Sequence, residues 1–276
     1  MEEDFSLAKV TQISPGAWQI SLPFLGEHEI VGYVHLDHAG ATGSLVRQLP
    51  RAQVYVHSKG APHLVDTTKV ISSASRIYGD HMHMLWGDIE STPAERLHTL
   101  EGGDVLQVAG RRLEVHYTPG HAIHHVVFFD AHSGEMFVGD VAGVKLPGVD
   151  YVRPPTPPPD LDLEAWSDSI SLIRSLRPDI LYLGHFGAIK EVPQHLGILR
   201  EKLLAWGDFI LETMRSGKNE AEIIALVIEK TQPELQRVTR DAHALQRYEI
   251  ASNYAMTVQG YMRYWRKKHP ERLQAP

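Results

Sequence analysis

The chain contains no cysteine in its 276 residues, which removes at once disulfides, thiolate zinc sites, iron–sulfur clusters and a cysteine nucleophile. Any bound metal must rest on nitrogen and oxygen donors. Long apolar runs are missing as well: stretches such as residues 126–129 and 180–183 fall far short of the roughly 20 residues a membrane-spanning helix needs. Positive charge is in deficit, with 27 Lys and Arg against 34 Asp and Glu and a formal charge of −7, so the chain has no general attraction to a polynucleotide backbone. The opening MEEDFSLAKV lacks the basic start and apolar centre of an export signal. The expectation is a cytoplasmic protein with neither a membrane nor a nucleic-acid partner, acting on a small molecule, and free to form a homo-oligomer.

What is present in excess is histidine, at 17 residues, and neutral imidazole is the commonest metal ligand. The 43% hydrophobic content supports a substantial core. Residues 10–22 read as a β-hairpin turned at Pro15-Gly16, residues 43–49 as a short helix, 53–57 as a strand and 61–78 as a helix. Alternation over 104–117 with a turn at Gly110, then over 125–130 and 135–138 across Ser133-Gly134, predicts a β-meander.

The run Pro154-Pro155-Thr156-Pro157-Pro158-Pro159 can be neither helix nor central strand, because proline lacks the N–H donor and fixes φ. It is a stiff connection, either a plain linker or a wall beside an active site. Asp160 or Asp162 would cap a helix over 163–176, followed by a strand over 180–183. From 194 to 268 the spacing is helical, with Leu196, Leu199, Leu203, Leu204 and Ile210 on recurrent faces, and predicts about three helices. The basic run over 263–268 reads as a solvated helix end whose cations complement the dipole.

Four short motifs carry the chemistry. They are His35-Leu36-Asp37-His38 ahead of a helix, Thr118-Pro119-Gly120-His121 at a turn ending a strand, Val138-Gly139-Asp140 closing an apolar strand, and Leu183-Gly184-His185 closing another. Each alone is ordinary turn chemistry. Together, in this order, they gather imidazoles and carboxylates of the kind that hold a borderline divalent metal. His81-Met82-His83 shares the spacing of two histidines but lacks a following aspartate and histidine, and reads as a solvated or packing segment. His124 and His125 follow His121 closely and read as tautomer support or surface residues rather than ligands.

The order of these motifs resembles the metallo-β-lactamase superfamily, whose pattern is H-x-H-x-D-H, then a P-G-H histidine, a G-D aspartate and a final histidine. The resemblance spans roughly residues 10–187. It implies an α/β (α+β) fold, an αββα sandwich over residues 1–193, with a helical extension over 194–276 packed on it. It also implies up to two zinc ions, with manganese or iron as substitutes. By position, site one would take His35 and His121, site two would take Asp37, His38 and His185, and Asp140 would bridge them. Such a metal pair makes hydroxide available near neutral pH, and Asp37 would orient it and carry its proton. The implied activity is hydrolysis of a small ester, thioester or lactone. A phosphodiesterase of the same fold is the alternative enzyme, and a catalytically weak metal-binding or interaction protein the alternative class.

Two departures from the family pattern stand out. Tyr33 occupies the place of the first motif histidine, and only residues 26–32 separate the opening hairpin from the motif, where the family usually has a strand–helix–strand segment. His28 could approach the vacant position but reads as an exposed loop residue. A phenol with an ordinary pKa of about 10 is a poor ligand near neutrality. Calorimetric titration of the metal-free chain is therefore expected to show one tight metal and one weak one; two equally tight sites would mean that another group completes site one.

Overall fold

The computed structural model describes residues 9–14, 17–24, 28–30, 36–48, 52–108, 110–185 and 187–274. These form two compact units, one built from residues up to Tyr117 together with Val126–Ser133, the other from Thr118–His125 together with Gly134 onward.

In the first unit β1 (Lys9–Ser14), β2 (Ala17–Phe24) and β3 (His28–Ile30) make an antiparallel sheet in that order. The hairpin is as the pattern predicts; β3 is not, and it moves His28 from a loop into a strand. Three residues are too few for alternation to reveal a strand. The short helices α1 (Leu36–Ala39) and α2 (Thr42–Gln48) follow, then β4 (Val54–His57), which pairs in parallel with β5 (Leu97–Leu100). The helix predicted over 61–78 is broken into α3 (Ala61–Val65) and α4 (Thr68–Tyr78). Asp66 is extended there, and its Oδ1 accepts from the Thr68 N–H at 3.0 Å, which starts a new helix. After α5 (Met82–Trp86), β6 (Val105–Val108), β7 (Arg111–Tyr117) and β8 (Val126–Asp130) form an antiparallel meander. Arg111 Nε donates to Asp130 at 2.7 Å across it. Burial opposes ionisation of Asp130, but Arg111 and two backbone N–H groups overrule it and lower the pKa.

In the second unit β9 (Glu135–Gly139) pairs in parallel with β10 (Ile180–Leu183), which pairs antiparallel with β11 (Ala188–Ile189). Parallel strands need a long crossover. Here it consists of an irregular strap followed by α6 (Leu163–Leu176). Asp162, not Asp160, caps α6, its Oδ1 accepting from Ala165 N at 2.9 Å. Trp166, Ile170 and Ile173 lie one and two turns apart on α6 and are fully buried.

The C-terminal region holds four helices rather than three: α7 (Val192–Arg215), α8 (Glu220–Val238), α9 (Ala242–Ala251) and α10 (Tyr254–Lys268). Asn219, Asp241 and Asn253 each accept a backbone N–H at a helix start, so breaks occur where the apolar period continues. On α7 Leu196, Leu199, Leu203 and Ile210 are buried as expected, whereas Leu204 is 39% exposed. Tyr261 and Trp265 of α10 reach back to α7, donating to the carbonyls of Leu203 at 2.7 Å and Gly207 at 3.0 Å. The basic end of α10 is tied down through Lys268, which pairs with Asp162 and Glu164 at 2.6 and 2.9 Å. Among the described residues no helix is long and apolar enough to cross a membrane.

Asn219 and Glu222 form a reciprocal capping box at the start of α8. Asn219→Ala is expected to lower unfolding free energy by about 1 kcal/mol, read as a lower urea midpoint with an unchanged slope. An unshifted midpoint would show that α8 does not need its cap.

Candidate metal centre

Parallel pairing brings the C-terminal ends of β9 and β10 side by side, with Leu183 in register with Gly139. Asp140 follows the first strand directly and His185 follows the second by one residue more. His185 Nε2 lies 3.5 Å from Asp140 Oδ1, and His121 Nε2 lies 3.4 Å from Asp140 Oδ2. All three are buried, at 3% exposure or less. Gly184 is needed between them: a Cβ there would come within 2.7 Å of Asp140 Oδ1.

His121 is presented by the turn 118–125, closed by Thr118 N donating to His125 O at 3.0 Å. The start of α6 grips this turn. Asp162 N donates to Gly120 O at 2.9 Å, Ser169 Oγ donates to Pro119 O at 2.7 Å, and a Cβ on Gly120 would collide with the Trp166 backbone. Gly120 also has φ +131°, which disfavours other residues.

The His121 ring is fixed by Pro155. Its Nδ1 lies 2.8 Å from the Pro155 carbonyl oxygen. A carbonyl only accepts, so Nδ1 carries the proton, and in the neutral ring the Nε2 lone pair is turned towards the Asp140 carboxylate. A lone pair facing an anionic oxygen is repulsive unless a cation lies between, either a second ring proton or a metal ion. The spacing agrees, because metal–ligand bonds of about 2.0–2.1 Å give a tetrahedral edge of about 3.3–3.4 Å. Two imidazoles and a carboxylate are a donor set for zinc or a similar first-row divalent ion.

Further residues hold the centre in place. Trp166 Nε1 donates to Val141 O at 2.7 Å, and its ring meets His121 edge-on at 5.5 Å between centroids. His195 Nε2 donates to Ala142 O at 2.7 Å. Burial pushes the His195 ring below the ordinary imidazole pKa, so it stays neutral near pH 7. His125 is buried, edge-on to His121, with Nδ1 at 3.0 Å from Thr118 Oγ1. That is a supporting position for the second histidine of the pair, while His124 is half-buried. The proline-rich run is a wall of the centre rather than a plain linker, since Pro155 provides the carbonyl that orients His121. Pro155 apart, Trp166 and His195 carry no motif, and no sequence signal marks them.

Of the other motif residues, His38 lies half-buried in α1 of the first unit, and Asp37 belongs to the same helix. His35 and Tyr33 fall outside the described residues. His83 is solvated, 85% exposed at the side chain and 3.9 Å from Asp88.

A buried carboxylate flanked by imidazoles at adjacent strand ends defines a metal-binding α/β protein. The chain belongs to the metallo-β-lactamase superfamily, whose family model matches residues 34–185, more than half of its length. Its fold is that superfamily's αββα sandwich with C-terminal helices. A metallo-β-lactamase fold-containing protein of Sulfurisphaera tokodaii is 29% identical over 62% of this chain and 65% of its own length. An atrochrysone carboxyl ACP thioesterase of Aspergillus fumigatus is 25% identical over 60% of this chain and 34% of its own. A hydroxyacylglutathione hydrolase of a Synechococcus species is 26% identical over 38% of this chain and 31% of its own. This chain thus spans less than two thirds of each of these relatives. In fold, it superposes on a solved archaeal metallo-β-lactamase superfamily protein from Sulfolobus tokodaii with a TM-score of 0.55 at 24% identity, covering 72% of this chain and 80% of that one.

Asp140→Ala is expected to abolish retention of zinc through dialysis. Gly184→Ala, by displacing the carboxylate, should weaken it about tenfold or more, and His83→Ala should change nothing. Elemental analysis of the three dialysed variants checks this, and zinc lost only from His83→Ala would place the metal elsewhere.

Proposed function

We propose that this protein is a zinc-dependent hydrolase of acyl thioesters. The observation that carries the reading is the Asp140 carboxylate held between His121 and His185, with the His121 lone pair committed to that side by Pro155. Zinc bound there would bring the pKa of a coordinated water towards neutrality and polarise the scissile carbonyl. His35, Asp37 and His38 are assigned as further ligands on the order of the sequence motif.

The residues of the chain then have separate tasks. His121, Asp140 and His185 would hold the cation in a buried site, where electrostatic attraction is stronger than in water. The sequence motif assigns to Asp37 the task of orienting the attacking water and carrying its proton towards the departing sulfur. A thiolate leaves near neutrality with little protonation, since a free thiol has a pKa of about 8.5, so one shuttling carboxylate suffices. An alkoxide would ask for a stronger acid. The thioester class is further supported by two relatives whose names specify an acyl group carried on a carrier protein or on glutathione. The net charge of −7 disfavours a polynucleotide substrate.

Metal-stripped protein, before and after zinc is restored, can be assayed on a short acyl thioester, the matching oxygen ester, a lactone and a phosphodiester. Zinc-dependent turnover highest on the thioester is expected, and lost in Asp140→Ala. Preferential turnover of the phosphodiester, or acyl hydrolysis indifferent to zinc, would refute the proposal.

A further inference from the structure

The strap over residues 144–156 connects two parts of the metal centre. It leaves the turn that carries Asp140, folds back on itself through paired backbone bonds of 2.9 Å between Val144 and Arg153, and ends at the Pro155 carbonyl that fixes His121. Backbone bonds close the strap on itself as far as Arg153, but Pro154 and Pro155 beyond it have no N–H to donate. The proline end of the strap therefore relies on groups outside it.

The strap's anchor is the pair of helices α9 and α10. Tyr248 Oη donates to Tyr151 O at 2.6 Å and accepts from Leu146 N at 3.2 Å, bracing both arms of the strap. Ser252 Oγ donates to Pro154 O at 3.3 Å. Gly260 of α10 approaches so closely that a Cβ would strike the Thr156 carbonyl.

At the centre is Arg153, 1% exposed. Its Nη1 donates to the carbonyl of Tyr248 at 3.2 Å, which also accepts the Ser252 N–H at 2.9 Å, and to the carbonyl of Ser252, the residue that caps the C-terminal end of α9, at 2.9 Å. The positive charge also faces the negative end of the α9 dipole. Its guanidinium lies 4.0 Å from the centroid of the Tyr254 ring, and Glu249 Oε2 is 3.5 Å from Nη1. A buried cation is retained only where such partners meet it, and removing it takes the side-chain donor from the Ser252 carbonyl and the cation from beside Glu249. Pro154 alone separates Arg153 from Pro155.

We propose that Arg153 is a positioning residue for the metal centre: by pinning the strap to the end of α9 it holds the Pro155 carbonyl against His121 Nδ1. The C-terminal helices thereby set metal affinity without supplying a ligand. This rests on the reading of His121, Asp140 and His185 as a metal site.

The test uses the full chain, stripped of metal and titrated with zinc against a chromophoric chelator. Arg153→Met is expected to raise the zinc Kd about tenfold or more, as loss of a group orienting a ligand does. Arg153→Lys, which keeps the charge but not the fork, should recover part of it. Tyr248→Phe, which removes one hydroxyl from the same anchor, should raise the Kd by a smaller factor and remains informative if Arg153→Met does not fold. Asn219→Ala, a stability change on α8 away from the strap, should leave the Kd at the parent value. Cobalt substitution gives a second readout, since loosening His121 alters the ligand-field bands whereas a loss of global stability does not. A parent chain that binds zinc, with Arg153 and Tyr248 variants matching its Kd and cobalt spectrum, would overturn the proposal alone. A parent chain that binds no zinc would overturn the metal-site reading and this proposal together.

Discussion

Burying a carboxylate is tolerable only where positive charge or hydrogen-bond donors meet it, and Asp140 is 3% exposed between two imidazole nitrogens. One of those nitrogens has its proton on the far side of the ring, donated to Pro155. The rest of the second unit is arranged around this unusual pairing. The strands β9 and β10 are parallel so that two ligands emerge at one end. α6 packs close enough to need glycine at position 120, and the strap returns across the centre to orient His121. Each is costly in chain entropy, and each makes physical sense if the electrostatics of Asp140 are completed by a cation.

The supporting groups work mostly through backbone carbonyls. Trp166 and His195 hold Val141 and Ala142, Pro155 holds His121, and Arg153 holds the end of α9. Carbonyls are present at every residue, so such contacts place almost no demand on the identity of the residue being held. They do place a demand on the residue that does the holding, which must be a long donor aimed accurately. This division explains how the strap can carry prolines and still be held in one path by its neighbours.

It also explains what was legible in the sequence. Imidazole and carboxylate at strand ends form recognisable motifs, and on that basis the sequence singles out Asp140, His121 and His185, which the fold brings side by side. The helix over 163–176 and the strand over 180–183 were equally plain, since their apolar periods are strong and a capping aspartate marks the boundary. Trp166, His195 and Arg153 were not readable: a tryptophan on an apolar face, a histidine near a helix start and an arginine beside prolines look the same whether they position a site or merely pack. The helix count went wrong for a related reason, because Asn219, Asp241 and Asn253 end one helix and begin the next without disturbing the apolar period. β3 was missed because alternation needs more than three residues to register.

The crossover between β9 and β10 has a consequence for how the protein comes to be. Asp140 and His185 are neighbours only after the strap and α6 have folded back over the sheet, so the site is a product of non-local contacts, the kind that form late and slowly. A nascent chain carries its ligands far apart until α6 docks, and it cannot hold a metal in the native geometry before then. Metal therefore selects the finished fold rather than guiding the early chain, and it stabilises what it selects: at free metal ~100-fold above Kd the folded state gains about 2.7 kcal/mol. By the same linkage, a cell short of metal would hold less of this chain in its folded form.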